Sequence, residues 1–228
     1  MSALSANAVD LERELTWFNS VLESRFRSYF GDSGNGGESL PGDPPDLTRS
    51  SSPYARLVTD AGLDLPERIA FVLALVPHVR PPLLDVFVTK NATFDCRFSE
   101  FGGERERPDG RFLPTGDTLA FILGGADLAT RFEVQMLLGP DGSLSRRGIV
   151  ELAADSRGGR SMLSRLVLSE ACLSLATTGQ PHRPHFGAGF PARRITTELT
   201  WDDLVLHPGT LRQIDDVDAW LRHGDALM

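Results

Sequence analysis

One side chain is nearly missing from this chain: among 23 basic residues Lys90 is the single lysine, and all the others are arginine. A phosphate-gripping loop of the form G-x-x-x-x-G-K-[ST] needs its lysine to bridge the β and γ oxygens, while its glycines let backbone N–H groups close on the phosphates. Lys90 follows Val88-Thr89 and precedes Asn91, with no glycine run before it, so that route to nucleotide hydrolysis is closed. Cysteine is scarce as well. Cys96 and Cys172 lie far apart without a CxxC partner, which reads as two reduced thiols rather than a zinc site or a disulfide framework. No apolar run approaches the roughly 18 residues of a membrane span, and Met1-Ser2-Ala3-Leu4 lacks the basic-then-apolar order of a secretory signal. No membrane insertion and a cytoplasmic location are the expectations.

What remains is ordinary globular composition: 228 residues, 41% hydrophobic and 24% charged, with a formal net charge of −8. That charge opposes a phosphate backbone, whose affinity for proteins comes from cations displacing condensed counterions. Candidate chemistry is thin. His182 and His185 flank Pro184 in an exposed-looking loop and lack the further ligands a metal would need. Asp202-Asp203 and Asp215-Asp216 read as turn and helix-surface acids, since adjacent residues point in different directions. Ser, His and Asp occur without a G-x-S-x-G elbow, so no hydrolase triad is assigned.

Periodicity organises the rest. Leu11, Leu15, Phe18, Leu22, Phe26 and Tyr29 recur at three and four, predicting an amphipathic helix over residues 1–30. Residues 31–53, dominated by Gly, Pro and Ser, read as a flexible tether. A body over 54–180 opens at Asp64-Leu65-Pro66-Glu67, a capping-box pattern before the apolar IAFVLALV, which Pro81-Pro82 ends before a short helical piece at 83–88. Thr115 starts a further helix, with Asp117 near its N-terminus, and Gly124-Gly125 stops it; another is expected over 126–138. Apolar runs at 148–154 and 161–169 flank a glycine-rich turn and predict a β-hairpin. A helix at 170–177 is capped by Ser169 and stopped by Gly179. Residues 181–228 form a connector: a strand-like 195–199, the run Trp201-Asp202-Asp203-Leu204, and a helix from Pro208 with Leu211, Ile214, Val217 and Leu221 on one face. The fold class expected is α+β, with a winged-helix-like body of short helices and a hairpin wing.

The most specific stretch, ITTELTWDDLVLHPGTLRQIDDVDAWLRHGDALM (residues 195–228), resembles the segment leading into the ATPase module of AAA+ proteins. The likeness is greatest to AAA+ ATPases associated with phage-tail-like contractile injection systems, through Thr196, Thr197, Leu199, residues 201–206, Trp220, Leu221, His223 and Gly224. FLPTGDTLAFILGG (112–125) resembles a second segment of that family, and residues 14–29 its opening helix. The resemblance implies a winged-helix N-terminal region that ends before the Walker A motif and carries no catalysis of its own. ATP and magnesium are implied only for the complete protein, as are a ring-shaped assembly and protein partners among injection-system components. By position Leu204, Val205 and Leu206 would form an apolar wall beside adenine, or they are simply core residues of a strand-turn-helix unit.

DNA binding is the competing reading. Between residues 143 and 168 five arginines (Arg146, Arg147, Arg157, Arg160, Arg165) face two acids, Glu151 and Asp155. A basic wing led by Arg157 and Arg160 could touch phosphates, with Arg131 and Gln135 as base readers on the preceding helix. An arginine-rich wing on an acidic protein reads more readily as a protein-docking surface, so DNA is the alternative partner.

Overall fold

The computed structural model describes residues 2–31, 42–91, 93, 95–105, 110–154, 158–182, 200, 203 and 205–223. The chain divides into two units, Met1–His182 and Arg183–Met228. It is α+β with helices dominating.

The first unit is built around α1 (Ala3–Phe30) and α3 (Leu65–Val79). Asp64 and Glu67 make the reciprocal capping box that starts α3, and Pro66 occupies its first turn, where a missing N–H costs nothing. Every residue from 69 to 76 is at most 1% exposed. Such a helix, apolar all round, has to be enclosed on every side. Around it lie α2 (Pro53–Asp60), a 3₁₀ segment Pro81–Val88, α4 (Gly116–Gly124), α5 (Leu128–Leu137), the single turn α6 (Ser143–Arg146) and α7 (Glu170–Thr177).

Among the described residues three short antiparallel pairs complete the unit. β1 (Lys90–Asn91) pairs with β2 (Cys96–Arg97), β3 (Glu104–Arg105) with β4 (Phe112–Leu113), and β5 (Val150–Leu152) with β6 (Leu166–Leu168), Glu151 lying opposite Val167. β6 also takes the chain just after β4 as a neighbour: Leu166 N–H donates to the Pro114 carbonyl at 2.9 Å, and Thr115 bridges Arg165. The first two pairs follow no clear alternation in the sequence and were not foreseen. They lie in a loop-like insertion whose Phe101 and Phe112 face inward. Phe26, Phe87, Phe101 and Phe121 meet with ring centroids 4.7–6.3 Å apart, mostly edge-on or tilted, as aromatic quadrupoles prefer. Gly103 (φ +84°) lets Phe112 lie against the backbone, since a Cβ there would fall 2.2 Å from the ring; its N–H donates to Thr115 Oγ1.

The expected tether between α1 and the body is corrected by this structure over residues 42–53. Leu47 and Ser52 are buried, and the segment is pinned to α1 and α3 by named bonds. Trp17 Nε1 donates to Gly42 O at 3.1 Å, Arg68 to Pro45 O at 2.8 Å, and Ser52 Oγ to Asp10 at 2.6 Å. Residues 32–41, the other part of the expected tether, lie outside the described residues.

These bonds reveal a second stripe on α1 that the apolar periodicity hides. Asn7, Asp10 and Glu14 are 0–4% exposed, at spacings of three and four that set them on one face. Asn7 donates to Leu175 O at the end of α7 and accepts from Tyr54 N–H at the start of α2. Glu14 receives Arg68 in a two-pronged pair at 2.7 and 2.6 Å. α1 is therefore buried on two sides and belongs to the same core as the body.

In the second unit α8 (Pro208–His223) is the helix expected from Pro208. Asp203 accepts from Thr200 N–H and Oγ1 at 2.7 and 3.0 Å. Hydrogen bonds from the Thr200 backbone and side chain hold the Asp203 carboxyl below its ordinary value. The strand-like 195–199 lies outside the described residues.

A buried ion pair that loses one partner leaves an uncompensated group, at a cost of about 3–5 kcal/mol. Glu14→Gln should therefore lower the unfolding free energy by about that order, read by urea denaturation. Glu14→Leu combined with Arg68→Met should recover most of the loss.

Candidate docking face

The helix expected at 126–138 is α5, and its local chemistry explains its boundaries. Asp127 caps it, accepting from Thr130 N–H at 2.8 Å and Thr130 Oγ1 at 2.7 Å. Those two bonds hold the Asp127 carboxyl below its ordinary value. α5 turns back on α4 through Gly125 (φ +52°), and the pair packs closely.

Which side of α5 faces in decides what it offers outward. Val134 and Leu138 are buried. Leu128, Phe132 and Met136, spaced by four, are 63%, 60% and 76% exposed. They form one arc, bordered by Glu133 on one side and Gln135 on the other, both exposed. A single exposed apolar residue means little, but three large ones in a row on one helix face make a contiguous apolar strip.

On a different side of α5, with the buried Val134, a groove of about 300 Å³ opens toward the start of α3, lined by Asp64, Pro66, Leu123, Thr130, Glu133, Val134 and Leu137. Its floor is apolar and its two charged walls, Asp64 and Glu133, are both acids. Arg131, the nearest cation on α5, turns elsewhere. It donates to Gly125 O at 3.0 Å and lies 3.9 Å from Asp117. From the other side Arg25 of α1 donates to Ile122 O and Leu123 O at 2.7 and 2.9 Å. Two guanidiniums thus satisfy the carbonyls at the C-terminal end of α4, where the helix leaves them unpaired and its dipole favours positive charge.

The hairpin arginines are placed differently from what a charge count suggests. Arg147 pairs with Glu67 at 2.6 Å, Arg160 with Glu151 at 2.9 Å, and Arg165 with Glu104 at 3.5 Å. Glu67 and Glu104 come from outside the counted stretch, so the local positive excess is largely matched in space. Arg157 lies outside the described residues. Of the two expected base readers, Gln135 is exposed on the rim of an apolar arc and Arg131 is engaged inward.

In the second unit Val205 is 99% exposed and Leu206 is half-buried; Leu204 lies outside the described residues. On α8, Leu211, Val217 and Trp220 are 39%, 58% and 61% exposed. Lys90 Nζ sits 3.2 Å from Asp95 across the β1–β2 hairpin. His182 Nε2 sits 3.1 Å from Glu170, while His185 lies outside the described residues. Cys96 is exposed and Cys172 buried, and both are free. Among the described residues no cluster of three His, Cys, Asp or Glu could hold a metal. No single helix among them is long and apolar enough to cross a membrane; the apolar α3 is a buried core helix.

Sequence reasoning missed the arc because α5 carries apolar residues on both sides. Leu128, Phe132 and Met136 compete with Val134, Leu137 and Leu138 for the inner face, and only the packing of α4 decides between them. Arg131→Ala should lower stability by about 1.5–3 kcal/mol, the worth of a hydrogen bond to a charged group. Phe132→Ser with Met136→Ser should change it by no more than about 0.5 kcal/mol each, as for surface positions; urea denaturation reads both. No protein-family model matches this chain, and no curated protein or solved structure matches it.

Proposed function

We propose that this chain is a non-catalytic docking region that positions a AAA+ motor, and that the outward face of α5 is its contact surface. The single observation carrying this reading is the arc of Leu128, Phe132 and Met136 on the helix that a DNA-binding protein of this layout would place in the major groove. Base edges are read by hydrogen-bonding side chains, and the centre of this arc offers none. Apolar side chains in such an arc gain most when another protein covers them, at about 1.5–3 kcal/mol for each one fully buried.

The layout itself supports a winged-helix body. α3, the segment 112–115, α4, α5, β5, a turn and β6 follow in that order, and residues 114–115 lie beside β6. In this reading α5 stands where a recognition helix stands, and β5 and β6 carry the wing.

The association with contractile injection systems, with ATP and magnesium in a complete enzyme and with a ring-shaped assembly, rests on the resemblance of residues 195–228 and 112–125 alone. Leu204, Val205 and Leu206 as an adenine-side wall belong to the same inference. The exposure of Val205 leaves that side chain available for contact but identifies no partner for it.

The DNA-binding alternative is separated by one titration. Purified chain and a labelled random-sequence duplex at low salt should show no saturable binding. Salt-dependent binding that Arg157→Ala with Arg160→Ala abolishes would overturn the docking reading in favour of a basic wing.

A further inference from the structure

We propose that the groove bordered by the last turn of α3, by β4 and by β6 binds a small organic oxyanion, a carboxylate or phosphate carried on an apolar body. The groove holds about 340 Å³, within the size range of small-molecule sites. Three elements build it. Pro77 and His78 come from α3, Arg111 and Leu113 from the start of β4, and Arg165 and Leu166 from the start of β6. The two strands are tied here by the Leu166 N–H on the Pro114 carbonyl and by the bridge between Thr115 and Arg165. Two guanidiniums far apart in sequence thus border one cavity.

What those cations already do decides what they can still hold. Arg111 is exposed and makes no hydrogen bond or ion pair among the described residues. Arg165 has one charged neighbour, Glu104, with Nε 3.5 Å from the carboxylate, too long for a strong hydrogen bond. Glu104 therefore offsets one positive charge and leaves the other. A planar guanidinium presents paired N–H donors that match the edge of a carboxylate or phosphate. A bare inorganic anion would gain little from them, because exposed ion pairs contribute little in water. The rest of the lining supplies the difference. Ala74, Pro77, Leu113, Pro114 and Leu166 are apolar, so a ring or short chain attached to the anion covers them and shields the charges from water. A long polyanion is repelled by the chain's net charge of −8. One charged end on one apolar body is the chemistry that fits.

The test titrates the full chain with benzoate and with phenyl phosphate, followed by amide chemical shifts, beside two controls: benzyl alcohol, which has the ring without the charge, and acetate, which has the charge without the ring. At least one of the two aromatic anions should saturate in the millimolar range, and the tighter of them names the headgroup. Both controls should bind about tenfold or more weakly. Arg111→Ala and Arg165→Ala should each weaken the aromatic anion about tenfold while the melting temperature holds, and Glu104→Gln should tighten it by removing the competing carboxylate. Saturation by neither anion, equal binding of benzyl alcohol, or binding indifferent to Arg111→Ala with Arg165→Ala overturns the proposal. No residue of α5 lines this groove, so the docking reading can fail without it, and it without the docking reading.

Discussion

The pair between Glu14 and Arg68 is the constraint on which the first unit turns. Arg68 lies one turn inside the capped start of α3, and its guanidinium reaches Glu14 on α1, the Pro45 carbonyl and the face of Trp17, 6.0 Å from the ring. One cation therefore fixes the long first helix, the segment after it and the central helix in a single register. A buried pair of this kind adds little stability over a well-packed apolar replacement, yet it is costly to break on one side. Its contribution here is geometric: an N-terminal helix that could have been an independent arm becomes a wall of the core.

Further along α1 the same logic leads to the proposed docking face. Arg25 holds the last carbonyls of α4, and Arg131 holds the turn carbonyl of Gly125. α4 is thereby fixed against α1 and α5 against α4, with Val134 and Leu138 turned inward. The outward arc of Leu128, Phe132 and Met136 follows from that orientation. Arg25, Arg68 and Arg131 are engaged with internal carbonyls and carboxylates, and what α5 presents outward is apolar and acidic.

Features governed by local chemistry were legible in the sequence. Asp64 with Glu67, Thr115 before Gly116, Ser169 before Glu170 and Gly179 after Thr177 mark element ends through their own hydrogen bonds or backbone freedom, and the structure places the ends there. Features that depend on distant partners were not legible. Asn7, Asp10 and Glu14 read as polar helix surface until α2, α7 and α3 supply their partners. Leu47 sat in a run too poor in apolar residues to suggest burial. The two-residue strands at 90–113 are too short to show alternation. The arginine count over the hairpin misled for the same reason, because Glu67 and Glu104 neutralise it from other parts of the chain. Caps are sequence properties; which face of α5 meets solvent is a property of the assembled core.

The central claim is that this molecule meets other macromolecules through α5 and not through its hairpin. Site-specific photo-crosslinking in cells that make the chain tests it most directly, with the reactive residue placed at position 132 in one experiment and at position 160 in another. The account predicts a discrete protein adduct from position 132 and none from position 160. A nucleic-acid adduct from position 160, or no adduct from position 132, would contradict it.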